Sequence, residues 1–254
     1  MEKIKLKLLF LIGAILILNS CASPKKIVYF GDNSSKNLNE NLLNFQPKIQ
    51  LGDELTINVS ALNMEAAIPF NLYEASNVTN VPKPITYIVG PDGQINFPVI
   101  GKVKVDGESS QEISYKLATL LTPYIKEPIV NVRLVNFKVS VLGEVQRPGT
   151  YSVTDERISI LSALGLAGDL TIQGDRRNIM LIREKNGKRS FHSFDLTDKK
   201  LFNSPYFYLV QNDVIYIAPN KAKIDSSAVG TNAGIIISSV STLISLLAIL
   251  NIIK

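Results

Sequence analysis

The reactive side chains in this 254-residue chain are few: one thiol, one imidazole and carboxylates scattered near turns. Cys21 is the single cysteine, so no disulfide can close within one chain. His192 is the single histidine and falls in a strand-like stretch, where a packing or surface role suits it better than general-base work. The acidic pairs Asp53 and Glu54, Asp169 and Asp175, and Asp195 and Asp198 lie near turns. Two carboxylates split a glycosidic bond only when held roughly 5–10 Å apart across a cleft. Carboxylates in loops ordinarily cap turns or face water. One Cys and one His are too few for a zinc site, and no phosphate-cradling loop of the P-loop type occurs. The chain therefore reads as a non-enzyme without metal or cofactor, and any energy its task needs comes from partners.

Cys21 has a chemistry of its own. Lys3, Lys5 and Lys7 precede an apolar run, Leu8–Leu18, too short for an ideal membrane-spanning helix. Residues 1–20 read as a signal peptide. "LNSC" (Leu18–Cys21) resembles a bacterial lipobox, with Asn19 a less usual member, so the thiol is expected to be cut free as a new N-terminus and lipidated. An uncleaved anchor helix is the alternative. No acidic residue follows the cysteine at Ala22 or Ser23, which under enterobacterial-type sorting favours the outer membrane. Residues 21–46, rich in Asn, Ser and Lys, are expected to be a tether with little structure of their own. Removing the signal segment takes +2 from a formal charge of +5 and leaves about +3, without a long basic block. A nucleic-acid partner is not supported.

The rest of the chain must form the body, and its 46% apolar and 19% charged residues suit a folded one. "LGD" (Leu51–Asp53) leads into a strand within Ile49–Leu62, and a polar stretch follows to about residue 84. "ITYIVGPDGQINFPVIGKVKVDG" predicts three short strands separated by "GPDG" and "PVIG". Ser109 with Glu112 predicts a capping box. The helix behind it carries Ile113, Leu117, Leu120 and Tyr124 at helical spacing, with Pro128 just beyond its end. "IVNVRLVNF" (Ile129–Phe137) returns to strand alternation. After it come a strand pair across "QRPG", a short helix with Leu161, Leu164 and Ala167 on its apolar side and Gly165 and Gly168 at its end, a hairpin across "KNGK", and a closing strand "VIYIAP" after the turn "QND". The predicted order over residues 138–219 is β-β-α-β-β-β, a β-grasp-like arrangement.

These motifs in this order resemble the bacterial outer-membrane polysaccharide export lipoproteins, whose periplasmic part joins a polysaccharide export domain to a soluble-ligand-binding β-grasp domain. The resemblance covers roughly residues 47–219. Gly90, Pro91, Gly93, Pro98 and Gly101 match the export-domain turns. Gly143, Glu144, Val145, Pro148, Gly149 and Tyr151 match the start of the β-grasp domain, and Asp213, Val214 and Ile215 match its closing turn and strand. Most of these positions are expected to shape the fold. The resemblance implies ring-shaped homo-oligomers that carry capsular or extracellular polysaccharide. It also implies an inner-membrane copolymerase partner, often a tyrosine autokinase. Longer members carry two β-grasp modules, and this chain shows one.

The expected class is α+β: an export domain (47–137), one β-grasp domain (138–219), a polar hinge (220–232) and a C-terminal transmembrane helix (233–253). That last run has no formal charge and would reach about 31 Å as a helix. Thr231, Ser238, Thr242 and Ser245 fall near one face of it and are expected to line a lumen, porin-like, with outer-membrane lipid on the opposite side. Hydroxyls bonded to their own backbone in a plain anchor are the alternative. The basic stretch Gly174–Arg189 could steer acidic glycans or an acidic partner surface, and Tyr206, Phe207 and Tyr208 could stack on sugar rings. The rival reading of the whole is a monomeric periplasmic glycan-binding lipoprotein.

Overall fold

The computed structural model describes residues 28–31, 45–74, 82–185, 187–228, 234–235 and 238–245. Strand β1 (Glu54–Ser60) alternates so that Leu55, Ile57 and Val59 are buried and their neighbours are not. The stretch expected to be merely polar then forms helix α1 (Met64–Ala67), capped by the Asn63 side chain, and a 3-10 turn (Ile68–Phe70). Two apolar anchors, Ala67 and Phe70, hold it down. Asn71 staples it to β1, accepting from the Val59 N–H at 2.9 Å and donating to the Val59 carbonyl at 2.7 Å. Two anchors in so short a segment set up no period, which is why the sequence hid it.

Strands β2 (Tyr73–Glu74) and β3 (Lys83–Pro84) pair with each other. Strand β4 (Thr86–Ile88) is followed by the hairpin of β5 (Gln94–Phe97) and β6 (Gly101–Lys104). After helix α2 (Ser110–Leu121) comes β7 (Ile129–Leu134), and β1 lies antiparallel between β4 and β7. The capping box forms as expected: Ser109 Oγ accepts from the Glu112 N–H, and Glu112 accepts from the Ser109 N–H at 2.6 Å. Lys48, 2.6 Å from the same carboxylate, and the Ser109 N–H hold Glu112 at about 2. The buried face of α2 differs in part from the expected one. Ile113 and Leu117 are buried, but Leu120 and Tyr124 are exposed, and Leu121 and Ile125 take their places. The row of residues four apart, 113 to 125, is the one that meets the sheet.

The second half runs β8 (Lys138–Gly143), β9 (Gly149–Ser152), α3 (Ile160–Leu166), β10 (Gly174–Lys185), β11 (Lys188–Phe194), a 3-10 turn (Lys199–Asn203) and β12 (Val214–Pro219). One five-stranded sheet in the order β11-β10-β12-β8-β9 results, antiparallel except for β12 beside β8. Its inner face presents Val139, Val141, Ile179, Leu181, Ile215 and Ile217, all buried. Helix α3, capped by Ser159, adds Ile160, Ala163 and Leu164 to the same cluster. The architecture is α+β, with one hydrophobic cluster in each half and Leu134 bordering both. Asn136 bridges the halves. Its side chain accepts from the Glu54 N–H at 3.0 Å and donates to the Gly52 carbonyl at 3.2 Å, while its own carbonyl accepts from Gln211 Nε2 at 2.9 Å.

Both ends depart from expectation. The hinge is helical where described, as α4 (Lys221–Ala228), because Asn220 caps it through a 3.0 Å bond to the Lys223 N–H and Lys and Ala favour helix. Residues 234–235 and 238–245 are also helical. Among the described residues, however, no helix is long and apolar enough to cross a membrane. The transmembrane helix expected over 233–253 is therefore not supported; residues 233, 236–237 and 246–253 of that run lie outside the described residues. At the other end, the expected tether makes ordered contacts at 28–31 and 45–46, described below.

Candidate functional site

The glycine-rich turns of the first half sit at the two ends of β5. Gly93 has φ +72°, its N–H donates to the Gly90 carbonyl at 2.8 Å, and its own carbonyl accepts from both Val105 and Asp106 at 3.0 and 3.1 Å. A Cβ there would lie 2.8 Å from that of Asp106. Pro91 occupies the exposed corner of this turn. Lys102 pairs with Asp92 at 3.3 Å and Lys104 donates to the Asp92 carbonyl at 2.9 Å, so the turn is tied to the hairpin. At the other end, Pro98 and Gly101 flank Val99, a β-branched residue at φ +66° and 59% exposed. The Ile100 N–H closes that turn onto the Pro98 carbonyl at 2.7 Å. Such a backbone is costly for valine, and no sequence signal announced it. Beneath these turns Asp53 is buried and accepts from the Gln50 N–H at 2.9 Å. Burial pushes its carboxyl up to about 6 against the pull of that N–H.

In the second half Gly143, Glu144 and Val145 lie where β8 leaves β12, and Asp213 lies at the other end of that pairing. Gly143 has φ +91°, and a Cβ on it would lie 2.0 Å from the Ile217 carbonyl oxygen, the atom that accepts from the Glu144 N–H at 3.0 Å. Glu144 accepts from Thr171 Oγ1 at 3.0 Å, and Val145 is buried and bridges to Leu170. Pro148 is exposed in the turn, Gly149 opens β9 without crowding, and the Tyr151 hydroxyl reaches back to donate to the Arg147 carbonyl. Asp213 is 1% exposed and is gripped by Arg183 through bonds of 2.9 and 2.6 Å. The Val210 N–H adds a third at 2.8 Å, and Arg183 also donates to the Tyr208 carbonyl at 3.1 Å. Burial raises the Asp213 carboxyl, with Arg183 and the Val210 N–H opposing it. Sequence reasoning singled out Asp213 but missed Arg183, thirty residues away, whose only sequence signal is an arginine inside an apolar strand.

The basic stretch divides accordingly. Arg176 and Arg183 are buried structural donors, whereas Arg177, Lys185, Lys188 and Arg189 face outward. The acidic pairs cap turns: Asp195 accepts from the Thr197 N–H, Asp198 from that of Lys200 and Asp175 from that of Arg177. Among the described residues no cluster of three or more His, Cys, Asp or Glu could hold a metal ion. His192 stacks on Tyr206 at 3.6 Å, and its Nε2 is buried without a hydrogen-bond partner among the described residues. Tyr206, Phe207 and Tyr208 are half-buried; Tyr208 stacks on Phe45 at 5.2 Å, and the Arg157 guanidinium lies 5.1 Å from its ring, so part of its ring face is already taken.

Tyr29 and Phe30 dock on the second half, a contact that sequence reasoning missed. The Phe30 N–H donates to the Leu196 carbonyl at 3.0 Å, and its ring meets Phe202 at 5.0 Å. The Tyr29 hydroxyl donates to Asp169 while Arg176 lies 5.6 Å over its ring; burial and Asp169 push the phenol up. Farther on, Gln46 and Lys48 bond Gln111 and Glu112 of the first half. Two aromatics in a polar stretch were the available signal. Cys21 and Thr231 lie outside the described residues. The hydroxyls of Ser238, Thr242 and Ser245 donate to carbonyls of their own helix, those of Ile235, Ser238 and Ser241, at 2.9, 2.8 and 2.9 Å.

A family model described as polysaccharide biosynthesis/export protein matches residues 44–135, and the model of the SLBB domain matches residues 138–190. The chain belongs to the polysaccharide export family. The two matches follow one another with a two-residue gap, and the motif turns described above fall inside them except for Asp213. Among family members, the EPS I polysaccharide export outer membrane protein EpsA of Ralstonia solanacearum is 30% identical over 115 residues, which is 44% of this chain and 30% of that one. Its counterpart in Ralstonia nicotianae is 32% identical over the same extent. The exopolysaccharide production protein ExoF of Rhizobium meliloti is 27% identical over 88 residues, 33% of this chain and 21% of its own length. These matches thus span a third or less of each relative's length. The family's description covers polysaccharide biosynthesis and export.

Proposed function

We propose that this chain is a lipid-anchored subunit of an oligomeric outer-membrane conduit for capsular or extracellular polysaccharide. The observation that carries the reading is the succession of an export domain and an SLBB domain in one chain. The names of the Ralstonia relatives, export proteins of the outer membrane, add support. In this reading Cys21 bears the lipid, the body (47–137 and 138–219) stands in the periplasm, and copies close into a ring. The ring meets an inner-membrane copolymerase, of the tyrosine-autokinase kind, that supplies the polymer and the energy. The chain itself is passive. Its glycine turns and the Arg183–Asp213 pair hold surfaces in place rather than transform the glycan.

One observation favours the second reading, a monomeric periplasmic glycan-binding lipoprotein. The hydroxyls at 238, 242 and 245 already have partners within their own helix, so they need no aqueous lumen. The two readings part on export. Cells lacking this chain are expected to make polymer and hold it inside the outer membrane, so that secreted glycan falls to background while periplasmic glycan rises. Wild-type secretion in such cells would contradict the conduit.

A further inference from the structure

The five-stranded sheet of the second half has two faces, and the outer one carries an apolar band across its middle strands. The inner face is the core. On the outer face one row of paired residues runs Phe191, Ile182, Val214, Ser140, Thr150 from β11 to β9, and the next runs Ser193, Met180, Tyr216, Leu142 from β11 to β8. Phe191 is 61% and Leu142 44% exposed. An antiparallel sheet with a solvated face ordinarily shows polar residues there, so this band is marked for cover.

Among the described residues the sheet also has two open edges, since β11 pairs only with β10 and β9 only with β8. Strand directions follow from the pairings. β8 and β12 run together, β10 opposes β12, β11 opposes β10, and β9 opposes β8. The two edge strands therefore run in opposite senses. Copies related by rotation in a cyclic ring keep the same up and down direction, so β11 of one copy beside β9 of the next makes an antiparallel pair.

The charges agree in sign and in height. The tip of the β10–β11 hairpin, where Lys185 pairs with Lys188, projects beyond Val214 at the start of β12. At the opposite edge β9 ends at Ser152 beside Lys138, the start of β8 on the same end of the sheet, and Asp155 and Glu156 follow. Lys185, Lys188, Asp155 and Glu156 are all exposed and make no ion pair among the described residues. Arg189 is shared with Glu184 at 3.2 Å on the surface. Basic residues on an edge strand can serve simply to keep it from pairing. That role accounts for Lys188 and Arg189 but not for the acidic pair at the same height on the far edge, nor for the apolar band between them.

We infer that the contact between copies is made by these two edges: β11 of one subunit pairs antiparallel with β9 of its neighbour, with Lys185, Lys188 and Arg189 against the neighbour's Asp155 and Glu156. The sheet then continues from subunit to subunit, and Phe191 at one edge comes beside the neighbour's β9. The inference rests on the ring reading and adds its interface.

The test uses the full-length lipoprotein in its own membrane, where a lipidated Cys21 offers no free thiol. Phe191→Cys and Thr150→Cys sit on the outer row at the two edges, both exposed. Together, with a short bismaleimide, they are expected to give a ladder of linked copies on a denaturing gel. Either variant alone gives none. Lys188→Glu with Arg189→Glu is expected to abolish the ladder, and adding Asp155→Lys with Glu156→Lys to restore it, a rescue that damage to folding would not produce. Particle mass of the unlinked protein separates the possible failures. An oligomer without a ladder overturns this interface and leaves the ring; a monomer overturns both. A linked dimer from Phe191→Cys alone would mean a two-fold contact and also overturn the inference.

Discussion

Asp213→Ala is expected to cost about 3–5 kcal/mol of folding stability, the range for breaking one side of a buried ion pair. The loss comes less from the missing attraction than from what is left behind. Arg183, with a side chain only 10% exposed, would keep its charge with the Tyr208 carbonyl as the one remaining hydrogen-bond partner of its side chain among the described residues, and the Val210 N–H would lose its acceptor. Domains of this size are ordinarily stable by about 5–15 kcal/mol, so the variant would be strongly depleted in cells. Arg183→Met alone should be comparably harmful, because it strands a buried carboxylate. The double variant should be less harmful than the sum of the two, since replacing both partners by apolar groups removes the desolvation penalty along with the attraction. Urea unfolding of the four proteins checks this. A loss below about 1 kcal/mol for Asp213→Ala, the range of an exposed pair, would mean that the pair is solvated.

Gly143→Ala is the second large effect. The residue combines a positive φ with the approach of a backbone carbonyl to 2.0 Å from where a Cβ would stand, so no rotamer change relieves the clash. Something must shift, and what must shift is the pairing of β8 with β12, the one parallel pair in the sheet. Gly149→Ala is the internal control, because a Cβ there meets only the Tyr151 ring at 3.9 Å. We expect Gly143→Ala to lose at least about 2 kcal/mol more than Gly149→Ala, placing it in the tail of single-substitution effects. Equal midpoints in a denaturant titration would show that the β8–β12 crossing has more room than the geometry allows.

What could be read from the sequence was local. Ser109 and Glu112 are three residues apart, so their capping box is written in adjacent letters, and the same holds for the turns at Gly90–Gly93, Pro98–Gly101 and Lys185–Lys188. What could not be read depends on partners distant in the chain. Arg183 finds Asp213 only because β10 and β12 pair in one register. Tyr29 and Phe30 find Asp169 and Leu196 only once the second half has folded, so their polar surroundings suggested a loose tether. The buried row of α2 was misjudged by one residue at two positions, since Leu120 and Leu121 satisfy helical spacing about equally well and the sheet decides between them. The apolar run near the C-terminus suggested a spanning helix by composition alone, and the described residues do not support one. Motifs that family members share therefore proved easier to see than the contacts that hold this chain together.

The assembly proposed for this chain is a closed conduit of many copies. Its most direct test is the particle mass of the full-length lipoprotein, taken from its membrane in mild detergent and again in lipid nanodiscs, with images of the same sample. A closed ring of many copies at one well-defined mass is expected in both. A monomer in both would contradict it and leave the glycan-binding lipoprotein as the reading of the fold.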